Sequence, residues 1–472
     1  MHRPVLSLLI GALLPCLLAL PARAQAYAPR DTIQVNIEDA IRRALEISPE
    51  VEAIAAQQDF AEARYDFARA NRFATEFNAT TAHSVAPGLY IPNPEVPRDQ
   101  LYLDPEVDNT WDEINPFNRV QAQLVQPIYT WGELGGSIRA ARHGVAVEAA
   151  EVRAKQLEVA LRTGELYYSA ILTDELVRLT QRAGAIVEQA KREIRRLLDE
   201  GAQDVDDADL FQVQITEQEY LQRVVEVQQR QRTARSALAR QLLLPEGTAV
   251  APAENVLTPL PLVLDSLDTY FAAALQNRPE IAQAEAGIEA RESLVRVARS
   301  NYYPKLGLGV EASYSYAPGR YRQENAYIGD PFLGRGIQAG FVFRQQLNFA
   351  QTRARVEQAR AELNEVRHQR VAAEQLVLFE VEDAYRNLII ARAALQARDS
   401  ALTISKQWLQ TEYINFDLDL GDTENLVRAV QTNLTLETSY FDAVRQYNVA
   451  VLRLLRATGI LARRVESGTL VE

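Results

Sequence analysis

Among its 472 residues the chain holds one cysteine, Cys16, and one methionine. A single thiol forms no intrachain disulfide, so cross-links contribute nothing to folding. The four histidines, His2, His83, His143 and His368, never stand at a metal-ligand spacing. Gly307-Leu308-Gly309-Val310-Glu311-Ala312 imitates a dinucleotide fingerprint, but it lies inside an alternating strand pattern with no helix after it. Gly132-Glu133-Leu134-Gly135-Gly136 lacks the Lys-Ser/Thr that completes a phosphate loop. Catalysis, metal and cofactor are therefore all left without a candidate. After residue 24 no run approaches the roughly 18 apolar residues that a spanning helix needs. Membrane insertion, if any, must use strands. Basic charge is also short: 50 Lys+Arg against 63 Asp+Glu give −13, which argues against a nucleic-acid partner.

Residues 1–24 read as a secretory signal. His2 and Arg3 open it, Val5 to Leu20 is apolar, and Ala22-Arg23-Ala24 is a small-x-small cleavage site. Cys16 follows Pro15, a poor setting for lipid attachment. Cleavage would remove Arg3 and Arg23 and no acid, leaving 48 − 63 = −15.

The chain then says the same thing twice. Ala44-Leu45-Glu46-Ile47-Ser48-Pro49-Glu50-Val51 returns at an offset of 230 as Ala274-Leu275-Gln276-Asn277-Arg278-Pro279-Glu280-Ile281. Asn71 matches Asn301 and Phe73 matches Tyr303 at the same offset. Gln126-Pro127-Ile128-Tyr129 matches Gln345-Gln346-Leu347-Asn348 at 219, and Val213-Gln214 matches Val430-Gln431 at 217. Such a repeat implies two pseudo-equivalent halves, 25–250 and 251–462, with 463–472 as a C-terminal tail.

Proline is absent from 131 to 199 and from 350 to the end. Across these stretches apolar residues step by threes and fours, as in Leu172, Leu176, Leu179, Ala183 and Ile186. Val381, Leu388, Leu395, Leu402, Leu409 and Phe416 recur every seven residues. The spacing predicts long helices over about 131–199, 206–244, 350–416 and 423–458. The first and third would each be on the order of 100 Å long at 1.5 Å per residue. Glu217, Gln231, Arg370, Asn433 and Glu437 put polar groups in the seams, where they either set register or face water.

Each half also has two alternating segments, at about 73–84 and 118–128 and at about 305–316 and 336–347. Leu306, Leu308, Val310, Ala312 and Tyr314 alternate with Gly307, Gly309, Glu311 and Ser313. Period-two patterning of about ten residues fits a transmembrane barrel strand or a half-exposed soluble sheet. Aromatics tilt the balance: Tyr129, Trp131, Tyr302, Tyr303 and Phe349 gather at one end, and Trp111, Phe117, Tyr316 and Phe332 at the other. Four strands cannot close a barrel alone, and an open edge in lipid leaves backbone groups unpaired. Three copies would supply twelve. Residues 84–118, rich in proline, read as a long irregular loop, and 317–334 as a shorter one.

The signal, the two-fold repeat, the Pro-Glu helix starts, the strand Asn301 to Val310, Gln126 to Leu134 and the long heptads together resemble the TolC-type outer-membrane efflux factors. The resemblance covers nearly all of the mature chain. It implies a mainly α fold with a small transmembrane β part, a homotrimer with a 12-stranded outer-membrane barrel, and an α-helical periplasmic tunnel. It further implies a passive outer-membrane channel set in outer-membrane lipid. This duct would dock to a periplasmic adaptor (membrane fusion) protein and an inner-membrane transporter of the RND or ABC type. The family's tip turns match Gly201-Ala202 and Leu420-Gly421, which become adaptor-contact candidates, although glycines there also serve as helix C-caps. Tip acids that form the family's constriction point to Asp209, with Asp204, Asp206 and Asp207 beside it. The second half lacks the usual carboxylates at Leu426-Val427-Arg428-Ala429-Val430, leaving Asp422 and Glu424 as substitutes. N-capping and first-turn stabilisation explain the same acids without a gate. A reading from another class, a periplasmic coiled-coil adaptor or scaffold, predicts one helical hairpin flanked by β-domain halves.

Overall fold

Helix starts in this chain are written locally. Asn36 caps α1 (Ile37–Ile47), its Oδ1 accepting from the Asp39 N–H at 2.7 Å. Ser48 ends that helix and caps α2 (Pro49–Ala70), where the proline costs no hydrogen bond in the first turn. The second half repeats the arrangement with Ser266 before α5 (Leu267–Asn277) and Pro279 opening α6 (Pro279–Ser300). Arg278 stands where Ser48 does and makes no cap; it is buried and serves elsewhere.

The computed structural model describes residues 31–470 apart from 74–75, 98–99, 201–206, 246, 322–328 and 419–422. The proposed signal lies outside them. Two very long helices, α3 (Glu133–Glu200, 68 residues) and α7 (Phe349–Asp417, 69 residues), run on from strands. Each turns back as a shorter helix, α4 (Asp207–Gln241) and α8 (Thr423–Ala457). A parallel pair, β1 (Asp31–Val35) with β4 (Thr248–Pro252), sits at the waist with α1, α5 and the short α9 (Leu461–Glu466). There Ile41, Tyr167, Leu238, Leu388, Leu452 and Leu461 form the main core. The C-terminal residues belong to it, since Leu470 is buried and its N–H donates to Glu38 at 3.0 Å.

The polar seam residues set register. Asn433 donates to Ser405 inside the α7–α8 seam at 2.9 Å, and Glu437 pairs with Arg182 of α3 at 2.7 Å. Lys191 holds Glu217, and Gln231 holds Asp174, across the α3–α4 seam. Arg370 meets Glu285 and Glu374 on the surface.

The remaining strands, β2 (Glu76–Tyr90), β3 (Asp108–Tyr129), β5 (Lys305–Tyr316) and β6 (Gly334–Arg344), form one antiparallel sheet in the order β2-β3-β5-β6. The expected loop over 84–118 is a correction. β2 and β3 stay paired out to Tyr90 opposite Asp108, with one register shift between Pro87 and Gly88. Pro87 lies on an edge strand. Pro116 lies beyond Asn118, where β3 no longer has β5 beside it, so neither proline breaks an interior ladder. Among the described residues of this stretch, those of 91–107 lie outside the strands and include a 3₁₀ turn at Leu101–Leu103.

Candidate functional site

The order of the strands is also the order of the helices below them. α2 packs on α3, α3 on α6 and α6 on α7, and each leads directly into or out of β2, β3, β5 and β6. The result is a wall four strands wide standing on four helices. One vertical edge is β2 with α2, and the other is β6 with α7.

The two faces of the sheet differ because side chains alternate. One register row carries Phe77, Leu124, Val310 and Ala339, and another carries Ala79, Ala122, Ala312 and Ile337. Ile337 is 81% exposed, Phe343 72% and Phe341 69%, so this face presents large apolar groups outward. The opposite face carries Asn78, Gln123, Glu311 and Gln338 in one row and Thr80, Gln121, Ser313 and Gly336 in the next. Apolar outside and polar inside is the pattern of a lipid-facing barrel around water. Where sheet meets helices, a hollow of about 780 Å³ opens beside Phe67, Glu76, Lys305 and Arg344.

The aromatic candidates at that junction do assemble. Trp131 stacks on Tyr303 with centroids 4.6 Å apart, meets Tyr129 edge-on at 5.0 Å, and donates to the Pro304 carbonyl at 2.8 Å. Trp131 (φ 51°) and Gly132 (φ 88°) are both left-handed, which turns the strand sharply into α3. Phe349 stays half exposed, and Tyr302 lends its carbonyl to Gln345. At the far end Tyr314 and Tyr316 stack outward and Trp111 is exposed.

Phe117 and Phe332 depart from the belt expectation. They are 5.5 Å apart in a small cluster with Ala86 and Ala317, on the polar side of the sheet. The described part of the β5–β6 connection folds over that side and buries Phe117, with Phe332 partly buried against it. Arg320 fastens it: its side chain pairs with Asp330 at 2.9 Å and donates to the Pro87 carbonyl and Asn109, over the Phe332 ring. Arg320 and Asp330 were not legible as a pair, because a surface-type Arg in a Pro-Gly-Arg turn carries no mark of burial.

At the opposite extreme, Gly201, Ala202, Asp204, Asp206, Leu420, Gly421 and Asp422 lie outside the described residues. Asp207 and Asp209 are in the first turn of α4, and Glu424 is in that of α8, bonded to Arg428 at 2.6 Å. Acids there meet the positive helix end. Arg196 bridges Glu193 and Glu200, and its hydrogen bond holds the Glu193 carboxyl below its ordinary range. Glu200 therefore adds less free negative charge than its place in the acidic run suggests.

Two strand-and-helix units, each with its own hairpin, do not match the single hairpin that a coiled-coil adaptor requires. A wall with one apolar and one polar face, continued by long helices, has the build of an outer-membrane channel subunit. The signature of the outer membrane efflux protein family matches residues 271–460. Protein CyaE of Bordetella pertussis is 28% identical over 245 residues, 50% of this chain, and the match spans about half of that relative's length (49%). A membrane protein from Pseudomonas aeruginosa has the same fold, with a TM-score of 0.70 at 17% identity, covering 90% of this chain and 91% of the other. The CmeC outer membrane channel of Campylobacter jejuni gives 0.68 at 15% identity, with 92% and 89% covered. The matched signature is thus that of outer membrane efflux proteins, and the Campylobacter neighbour is itself an outer membrane channel.

Proposed function

We propose that the chain is one third of a passive exit duct. Three copies close β2-β3-β5-β6 into a twelve-stranded barrel, and their α2-α3-α6-α7 helices continue it as a periplasmic tunnel. The observation that supports this is the shared order of strands and helices, with both edges of the wall open. A single sheet with open edges is unsuited to lipid, whereas a ring of copies leaves no edge. The duct has no chemistry of its own. Substrate would arrive from a periplasmic adaptor and an inner-membrane transporter seated at the α3–α4 and α7–α8 turns. Gly201, Ala202, Leu420 and Gly421 are the residues proposed to meet the adaptor.

Native mass of the full chain, extracted by detergent from the outer-membrane fraction, tests the assembly. A trimer is expected, and a monomer or a protein recovered without detergent would overturn the duct. The tip acids give a second test. With Asp206→Asn, Asp207→Asn and Asp209→Asn together, three copies lose nine carboxylates around one axis, and cation preference in bilayer recordings should fall. Unchanged selectivity would leave these acids as helix caps alone.

A further inference from the structure

We propose that the internal repeat sets the register of the seam between copies. In that register β6 of one copy pairs with β2 of the next so that Arg344 lies opposite Thr80. Leu347 of the first copy then lies beside Phe77 of the second. The inference rests on the trimer reading and adds to it a pairing and its contact residues.

The two hairpins correspond rung for rung. Lys305 opposite Arg344 repeats Glu76 opposite Val125, and Ser315 opposite Gly334 repeats Ala86 opposite Asn115, at offsets of 229 and 219. Their bases correspond as well. Asn71 and Asn301 close α2 and α6, Gln126 donates to the Arg72 carbonyl at 2.8 Å, and Gln345 donates to the Tyr302 carbonyl at 3.2 Å. Each half is thus the same strand-and-helix unit.

Within the chain the first unit joins the second through β3 and β5. Gln123 lies opposite Glu311 and Val125 opposite Gly309; past a register shift at Ile128, Tyr129 lies opposite Leu306. The Trp131–Tyr303 stack and a 2.6 Å Lys305–Glu133 ion pair clamp the base of this seam. A closed ring repeats that junction between the second unit of one copy and the first unit of the next. Converting by the offsets puts Val342 opposite Ala82 and Arg344 opposite Thr80. The same conversion brings Leu347, the counterpart of Ile128, beside Phe77, the counterpart of Leu306.

Two observations not used in the conversion agree with it. Side-chain faces match, since Val342 and Ala82 share the polar side while Phe343 and Thr81 share the apolar side. The residues it brings together are also ones that the lone chain leaves bare: Leu347 is 72% exposed and Phe77 69%. The ion pair has no counterpart, because Glu76 stands where Lys305 does. The seam between copies therefore rests on the ladder and on Leu347 against Phe77.

Disulfide trapping tests the register, because the sole native cysteine is Cys16. The full chain carrying Val342→Cys with Ala82→Cys is expected to oxidise to a covalent trimer on a denaturing gel. Within one chain these positions lie on opposite edges of the sheet and cannot meet. Register moves only in steps of two without turning apolar side chains into the lumen, so Val342→Cys with Thr80→Cys or with Ser84→Cys reports the alternatives. Preferential cross-linking of either alternative, or a native trimer that cross-links at none of the three, overturns the seam and leaves the trimer standing. A native monomer overturns both. For the contact at the base, Leu347→Ala and Phe77→Ala should each shorten the trimer's lifetime in dodecyl sulfate roughly two- to tenfold, the double variant doing no worse. Additive losses would remove the contact.

Discussion

Replacing Arg278 by alanine is expected to lower stability by about 3 kcal/mol, read as a fall in the urea midpoint of the helical signal of the detergent-extracted protein. Only 3% of its side chain is exposed, yet it is fully charged and fully engaged. One guanidinium nitrogen reaches Glu280 at 2.9 Å and Glu380 at 2.8 Å, and another reaches the Ala457 carbonyl at 3.4 Å near the end of α8. It thus ties the start of α6 to α7 and α8 at the waist. Alanine removes three charge-assisted contacts and leaves a hollow in their place. The two carboxylates are about a third exposed, so water recovers part of the loss, which is why the lower end of the usual 3–5 kcal/mol range applies. Arg456 shares Glu380 at 3.2 Å but is itself a third exposed, and Arg456→Ala should cost under about 1 kcal/mol. Equal losses from the two variants would sink the assignment of Arg278 as the buried tie.

Much of this architecture is legible from spacing alone. Absence of proline and threes-and-fours periodicity marked α3 and α7, because a helix must keep one stripe against its neighbours over its whole length. The repeat was visible because cap and turn residues are few in kind: Pro49 and Pro279, and Asn71 and Asn301, recur where backbone geometry demands them. Alternation revealed the strands, but it ran out at their outer ends. Beyond Asn118 the sheet narrows, both faces of β2 and β3 change surroundings, and prolines become tolerable, so pairing there left no period-two trace. Buried charge was the other blind spot. Arg278 reads as a failed N-cap and Arg320 as a turn residue, since burial of a long cation depends on carboxylates brought in from elsewhere in the fold. Arg278 finds Glu380 from 102 positions away. The aromatic residues divide for a similar reason. Trp131 and Tyr303 meet at a turn, whereas Phe117 is covered by a connection whose path no local pattern records.

Replacing Asp330 by alanine should be the most damaging single change at the outer end of the sheet, costing roughly 3–5 kcal/mol of local stability. The Asp330 side chain is fully buried and that of Arg320 is 2% exposed, so water cannot take over when one partner goes. Arg320 would keep its bonds to the Pro87 carbonyl and Asn109 but would carry an uncompensated charge beneath Phe332. The cheapest escape is for the β5–β6 connection to lift off the polar face of the sheet, freeing Phe117 and Phe332. Amide exchange at 317–321 and 329–333 should therefore accelerate strongly, while the waist, a separate core, keeps its urea midpoint. The paired replacement Arg320→Met with Asp330→Leu removes both charges, at the cost of the bonds to the Pro87 carbonyl and Asn109 and of the acceptor for the Phe332 N–H. It should restore a large part of the lost protection. If the double variant exchanges as fast as Asp330→Ala, the buried charge is not what holds the connection down. In that case the Phe117–Phe332 packing must carry it instead.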